Sequence, residues 1–193
     1  MANRRNWLPK YLDPSWPQRL MAARAQGEHD PDRNTLLIAV MYYAGLRVSE
    51  ALSLTKGACN LNARTIWVLG KGKKQRYVGI HRKLLALLTP HLLQLEAADY
   101  LFPSRQSPRM GRRQALNIIK RRAIAGGLPA SEVFNHLMRH GFAEHTLEAL
   151  KTRDPGDALA RVRDALGHSS IAVTSIYLQV SPSRLLETFE ALE

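Results

Sequence analysis

The most informative stretch of this sequence is Leu36-Leu-Ile-Ala-Val-Met-Tyr-Tyr-Ala-Gly-Leu-Arg-Val-Ser-Glu50. Residues 36–44 are too uniformly apolar for a helix with one face in water, which predicts a buried helix. The Asp-Pro-Asp sequence at 30–32 introduces this helix, and Gly45 ends it. Helical spacing of apolar residues resumes over 47–54. The stretch therefore predicts two helices joined at a glycine, the first of them buried.

The rest of the chain predicts a mainly helical α+β fold with a small antiparallel β-sheet. Residues 65–69 and 77–80 are rich in β-branched and aromatic side chains and predict two strands of a hairpin. The hairpin tip, residues 70–74, is rich in glycine and lysine. Gly167 stands where a helix C-cap needs positive φ. The remaining predicted helices span 18–25, 82–95, 112–125, 135–150, 157–166, 171–178 and a short segment after Pro182.

The 193 residues fit a single domain, 1–193, with an irregular arm over 1–17 and a short helix over 183–193 that has one apolar face. The single cysteine, Cys59, excludes an intrachain disulfide and a multi-cysteine metal site, and it suits a reducing cytoplasm. No run approaches the ~20 apolar residues of a membrane span, and no signal-peptide pattern opens the chain. We therefore expect a cytoplasmic protein.

The charge of the chain points to an anionic partner. There are 28 Lys and Arg against 16 Asp and Glu, a formal charge of +12. Two blocks, 71–83 and 105–122, contain six and seven basic residues and no acid. Such blocks are typical of surfaces that neutralise nucleic-acid phosphates, although a solvated face is the alternative. The candidate DNA-binding residues are Lys73, Lys74, Arg76, Arg112, Arg113, Lys120, Arg121 and Arg122.

Several polar residues stand in contexts that core packing does not explain. A phosphodiester under attack concentrates charge on its non-bridging oxygens, and paired guanidiniums such as Arg47 and Arg139 stabilise that charge best. His136 lies three positions before Arg139, so on a helix the two share a face. Tyr177 follows His168 by nine positions, and nearby cations would favour its phenolate. The candidate catalytic residues are Arg47, Lys71, His136, Arg139, His168 and Tyr177.

Other interpretations of these residues stay open on the sequence alone. Arg47 could be a surface residue at a helix start, and Tyr177 could be a core residue. His136 and His140, at i and i+4, could bind a metal, but no acid or cysteine clusters with them. The tip at 70–74 lacks the spacing of a nucleotide-binding P-loop, and no Gly-x-Ser-x-Gly elbow is present.

Four motifs occur in a characteristic order. They are Ala44-Gly-Leu-Arg-Val-Ser-Glu50, Gly70-Lys-Gly-Lys-Lys-Gln-Arg76, His136-Leu-Met-Arg-His-Gly-Phe-Ala143 and Leu166-Gly-His-Ser-Ser-Ile-Ala-Val-Thr-Ser-Ile-Tyr177. Together they resemble the catalytic domain of the tyrosine recombinase (phage integrase) family. The resemblance runs from Leu8 to the final helix. It implies a DNA strand transferase with the fold of that family.

The resemblance implies a role for each matched residue. Tyr177 would attack the scissile phosphate to give a 3′-phosphotyrosyl link and a free 5′-hydroxyl. Arg47, Arg139 and His168 would bind the non-bridging oxygens. Lys71 would protonate the leaving oxygen and His136 would assist proton transfer at the nucleophile. Glu50 would support the site structurally.

The resemblance also implies the partners. They are double-stranded DNA in the nucleoid and further copies of the same chain, as a tetramer on paired sites whose C-terminal helix packs on a neighbouring subunit. Neither a metal nor ATP is expected as a cofactor, because the phosphotyrosyl bond conserves the energy for rejoining. Integration, excision and inversion are all compatible with this chemistry.

Two departures from the family pattern stand out. The separate amino-terminal DNA-clamping domain is missing, as in the fimbrial inversion recombinases or in a fragment, and residues 151–157 suggest an inserted loop. Other functions are a non-catalytic DNA-binding regulator of the same fold, a type IB topoisomerase-like nicking enzyme, and an RNA-binding module. The RNA-binding module is disfavoured because aromatic stacking motifs are lacking.

Overall fold

The computed structural model describes residues 12–70, 75–134, 136–152 and 156–167. These residues form a mainly helical fold with one small antiparallel sheet, which confirms the predicted fold class. The helices are α1 Trp16–Ala22, α2 Pro31–Tyr43, α3 Val48–Leu52, α4 Arg82–Leu92, α5 Arg112–Ala125, α6 Leu137–Lys151 and α7 Ala158–Leu166. The strands are β1 Cys59–Asn60, β2 Thr65–Leu69 and β3 Gln75–Gly79.

Helix α2 is the buried helix that the apolar run predicts. Residues 36–41 are at most 1% exposed, and helices α1, α3, α4 and α6 all pack against α2. The helix begins at Pro31 rather than at the apolar run, because the Asp30 carboxylate accepts a hydrogen bond from the Arg33 N–H at 3.0 Å. Four of the other helices are therefore positioned by contact with α2.

The sheet has the strand order β1-β2-β3. Thr65–Leu69 has the predicted bounds of its strand, and β3 begins two residues before the predicted 77–80. Strand β1 was not predicted, because two residues are too few to show an alternating pattern. They pair with Thr65 and Ile66 of β2. Alternation follows the pleat: Ile66, Val68 and Val78 are buried while Trp67 and Tyr77, directly opposite each other, are exposed.

The other helices agree with prediction to within a few residues. Helix α5 has the predicted bounds. Helix α7 begins one residue late and ends at the predicted Leu166, followed by Gly167, whose φ of +63° is the expected left-handed C-cap. Helix α1 begins earlier than predicted, because Pro17 fits the first turn of a helix. The predicted elements over 171–178 and 183–193 lie outside the described residues.

Helices α6 and α7 form a second, smaller core beside the first. Its buried residues are Ala143, Leu147, Ala158, Val162 and Leu166. The segment at Leu12 joins this part of the fold, because its N–H donates to the Glu144 carboxylate at 3.1 Å. Among the described residues, no helix has the length and apolar character needed to cross a membrane.

The turn between α2 and α3 is held by Gly45. Its φ of +60° lies in the left-handed region, and a Cβ placed there would be 2.5 Å from Cδ1 of Phe142 on α6. Only glycine satisfies both the backbone and the space, so α6 packs directly on this turn. The turn fixes the direction in which Arg47 and α3 leave α2.

We expect Gly45→Ala to lower the free energy of unfolding by about 2–5 kcal/mol, from left-handed strain together with overpacking against Phe142. Urea denaturation measures the change. Gly79→Ala is the control, because no atom lies within 4 Å of its added Cβ and its φ is not positive. Equal stabilities of the two variants would contradict this account of the turn.

Candidate active site

Arg47 is the residue just before α3, and its backbone is extended. Its backbone N–H donates to Oε2 of Glu50 at 2.8 Å, and its Nη1 donates to Oε1 at 2.8 Å. The carboxylate at the third helical position thus binds the residue that precedes the helix, as in a capping box. The Arg47 side chain remains 29% exposed, so the guanidinium is held in place and still open to a ligand.

Glu50 is the buried centre of the cluster. Its side chain is 4% exposed, and Arg76 on β3 donates to both carboxylate oxygens at 3.0 Å in a fork. Nη1 of Arg139 lies 3.7 Å from Oε2. One carboxylate therefore joins the start of α3, strand β3 and helix α6.

The surroundings determine the charge on Glu50. Burial alone would raise the pKa of its carboxyl, but hydrogen bonds from Arg76 and Arg47 outweigh burial and lower the pKa to about 2. Glu50 is thus ionised at every physiological pH. It contributes one negative charge against three guanidinium charges.

Arg139 is the most deeply buried guanidinium of the three. It lies in the first turn of α6 and is 4% exposed. Nη1 donates to the carbonyl of Gly45 at 2.6 Å, and Nη2 donates to the carbonyl of Leu166 at 2.6 Å. Arg139 therefore connects the turn before α3 to the end of α7, two positions before His168 in the sequence.

His136 precedes α6 as its N-cap residue and is exposed. Although the residue as a whole is exposed, the neighbouring elements bury part of its ring, and this partial burial lowers the pKa of His136; the charges of Arg139 and Arg47 lower it further. Burial, followed by the charges of His136 and Arg139, lowers the pKa of His140 to about 4. His136 at neutral pH is thus suited to accept a proton.

The structure brings four predicted residues into one cluster: Arg47, Glu50, His136 and Arg139. Lys71, Lys73, Lys74, His168 and Tyr177 lie outside the described residues. Within the described ranges, no group of three or more His, Cys, Asp or Glu could hold a metal ion.

Sequence reasoning missed the role of Arg76. It was predicted to bind DNA, but both ends of its guanidinium fork are on Glu50 and its side chain is 15% exposed. A signal was present, because the period of two puts Arg76 on the same strand face as the buried Val78. The acid partner lies 26 positions away and could not be identified from the block itself.

The assignment of Arg122 to DNA binding was wrong. Its side chain is 0% exposed, and it donates to Glu28 and Thr35 at 2.7 Å. It lies on the same face of α5 as the buried Ala115 and Ile119, so helical spacing could have excluded it. Arg122 instead binds α5 to the start of α2.

The remaining cations of α5 do form a basic surface. Arg112, Arg113 and Arg121 are exposed, and Lys120 is half-buried. Arg113 and Arg121 line a groove of about 580 Å³ together with Arg105.

Comparisons with known proteins show which family and which fold this chain is similar to. The model of the phage integrase family matches residues 10–184. A curated relative, tyrosine recombinase XerD of Proteus mirabilis, is 32% identical over 185 residues, covering 92% of this chain and 57% of the relative. The chain thus spans less than two thirds of the length of that relative.

Two solved structures share the fold. The crystal structure of XerA recombinase has a TM-score of 0.75 and 25% identity, covering 96% of this chain and 66% of that one. XerH site-specific recombinase in a post-cleavage complex with palindromic difH substrate has a TM-score of 0.77 and 27% identity, covering 95% of this chain and 53% of that one.

We expect Glu50 to make stability depend on acid pH. Its pKa in the folded chain, about 2, lies below the ordinary value of 4.5, so its contribution is present above the ordinary value and is lost as pH falls towards 2. The stability advantage of the wild type over Glu50→Gln should therefore shrink by up to about 3 kcal/mol between about pH 6 and pH 2.

Urea denaturation across that pH range measures the difference. The control is Glu96→Gln, which removes an exposed carboxylate. Its difference from the wild type should vary far less with pH. A Glu50→Gln difference that stays constant with pH would contradict the buried ionised carboxylate.

Proposed function

Because the chain belongs to the phage integrase family, we propose that it is the catalytic part of a tyrosine site-specific recombinase. It cleaves and rejoins DNA strands through a 3′-phosphotyrosyl intermediate. The observation that carries the proposal is the cluster of Arg47, Arg76 and Arg139 around the single carboxylate of Glu50.

The cluster has a net charge of about +2, the sum of three guanidiniums and one carboxylate, which suits a phosphodiester. Arg47 is partly open to solvent, and the exposed His136 lies three positions before Arg139. Donors held in place before the substrate arrives stabilise developing negative charge without further reorganisation. This is what attack on a scissile phosphate requires.

The roles of the residues outside the described ranges rest on the resemblance. The Tyr177 oxygen forms a bond to phosphorus while the bond from phosphorus to the 5′-oxygen breaks. Lys71 gives a proton to that oxygen, His136 takes the phenol proton, and His168 donates to a non-bridging oxygen. Attack by a 5′-hydroxyl on the phosphotyrosyl bond reverses these steps and restores Tyr177.

We propose double-stranded DNA as the substrate, with the protein at the nucleoid in the cytoplasm. The whole protein assembles as a homo-oligomer, a tetramer on paired sites. In support of DNA, the XerH recombinase of similar fold was solved bound to its difH substrate. A non-catalytic DNA-binding regulator and a type IB topoisomerase-like enzyme are the other outcomes of the tests below.

The covalent intermediate gives the direct test. The DNA site is first selected from a random pool by binding to the wild-type protein. Nicked DNA that contains this site is then incubated with the protein, and a denaturing gel reveals the protein–DNA adduct. Tyr177→Phe should abolish the adduct, because the attacking oxygen is gone, and should leave DNA affinity within about threefold, a small change in binding free energy.

Tyr100→Phe is the matched control, since Tyr100 lies beside Arg109 at a site remote in sequence from the four motifs. It should form the adduct as the wild type does. A full adduct from Tyr177→Phe would refute the assignment of the nucleophile. DNA binding by the wild type with no adduct would favour the non-catalytic regulator, and relaxation of any supercoiled DNA would favour the topoisomerase.

The basic surface of α5 makes a second prediction. Arg112→Gln and Arg113→Gln should each lower the slope of log affinity against log salt concentration by about one unit or slightly less, because each removes one phosphate contact. Binding is measured by fluorescence anisotropy over a salt series. Unchanged slopes would favour a solvated face.

Arg122→Gln is the contrasting variant. It leaves the carboxylate of Glu28 buried without its ion pair, so it should lower the free energy of unfolding by about 3–5 kcal/mol. The salt slope of the folded fraction should remain that of the wild type. A slope reduced as in Arg113→Gln would show instead that Arg122 contacts DNA phosphates.

A further inference from the structure

Arg76 contacts two parts of the cluster at once. Its fork binds both oxygens of Glu50 at 3.0 Å, and its aliphatic arm lies against the C-cap of α7. A Cβ placed on Gly167 would be 2.8 Å from Cδ of Arg76. The side chain therefore fills the space between strand β3, helix α3 and the end of α7.

Arg47 and Arg76 both donate hydrogen bonds to the Glu50 carboxylate. Oε1 of Glu50 accepts from Arg47 Nη1 and Arg76 Nη1, and Oε2 accepts from the Arg47 N–H and Arg76 Nη2. Arg76 supplies the forked pair, the stronger geometry. Arg139 stands at 3.7 Å and directs its own hydrogen bonds to backbone carbonyls.

We propose that Arg76 is a positioning residue, which neutralises and orients Glu50 so that the charges of Arg47 and Arg139 remain available to the scissile phosphate. The inference rests on the proposed function. Without Arg76, the Glu50 carboxylate draws Arg47 and Arg139 towards itself and cancels part of their charge. The arginine pair then binds a phosphate less well, although Arg76 itself never touches the phosphate.

The packing of Arg76 extends this role to the end of α7. Arg139 donates to the Leu166 carbonyl, and Arg76 lies on the adjoining Gly167. A change at Arg76 thus reaches Arg139 by two routes, through Glu50 and through the α7 C-cap. Both routes are contacts within the described residues.

The proposal has a signature in pH. The charged and titratable groups that face Glu50 are Arg47 before α3, Arg76 on β3, and Arg139 with His136 at the start of α6. Loss of Arg76 removes the hydrogen bonds that offset burial, so the pKa of Glu50 rises. Protonated Glu50 no longer draws Arg47 and Arg139 away from the phosphate, so the rate of the Arg76 variant recovers towards acid pH.

A double-mutant cycle tests whether Arg76 acts through Glu50. The rate of adduct formation on nicked DNA, at saturating protein, is measured for the wild type, Arg76→Met, Glu50→Gln and the double variant. We expect Arg76→Met to slow the wild type about tenfold or more and to slow Glu50→Gln by less than about threefold, since a coupling of this size is typical of contacting charges.

Two further readouts sharpen the cycle. The rate of Arg76→Met relative to the wild type should rise towards acid pH, and the rate of the double variant relative to Glu50→Gln should not. Arg163→Met is the matched control: it also removes an arginine paired with a carboxylate, that of Asp164 at 2.6 Å, and should leave the rate unchanged. If Arg76→Met fails to fold, Arg76→Lys, which keeps the charge without the fork, replaces it in the same cycle.

Equal slowing by Arg76→Met in both backgrounds, or weaker DNA binding with an unchanged rate at saturation, would overturn the proposal in favour of direct DNA contact. A second measurement tests the positioning role without relying on the proposed function. Inorganic phosphate is titrated into the protein, and NMR of the arginine side chains reports its binding. If the wild type forms no adduct, the proposed function fails. The positioning role then stands if Arg76→Met weakens phosphate binding only when Glu50 is present, and it falls otherwise.

Discussion

The carboxylate of Glu50, buried among three guanidiniums, is the interaction on which the site depends. Removing a carboxylate from water costs several kcal/mol unless the charge is paired and hydrogen-bonded. Arg47 and Arg76 provide that pairing from two elements far apart in sequence, and Arg139 adds its charge from a third. The site therefore forms only when α3, β3 and α6 have all assembled around the same carboxylate.

The backbone of the site is held by Arg139 and the turn at Gly45. Arg139 satisfies the carbonyls of Gly45 and Leu166, and Phe142, one turn further along α6, packs where a side chain at residue 45 would lie. Arg139, which the resemblance assigns to phosphate binding, therefore also stabilises the backbone of the site. Substitution of Arg139 removes charge from the site and support from two chain segments, so stability has to be measured beside activity.

Much of this arrangement follows from the sequence, and the failures have physical reasons. Helix α5 and strand β2 appear with their predicted bounds, because periodicity of local apolar residues determines them. The acid partners of Arg76 and Arg122 were not predicted, because a block of like charge says nothing about distant acids: Glu50 is 26 positions from Arg76, and Glu28 is 94 positions from Arg122. Only the spacing of buried residues along β3 and α5 distinguishes these arginines from their exposed neighbours. The two-residue strand β1 is too short to carry any pattern.

The buried Arg122 also affects how the surface of α5 meets an anionic partner. Its hydrogen bonds to Glu28, Thr35 and the Pro31 carbonyl lock α5 against the first turns of α2. The exposed cations at 113 and 121 line the same groove and are eight residues apart, about 12 Å along the helix axis at its regular rise. Their helix is fixed during folding, so a partner that matches this spacing meets a preorganised surface and loses less conformational entropy when it binds.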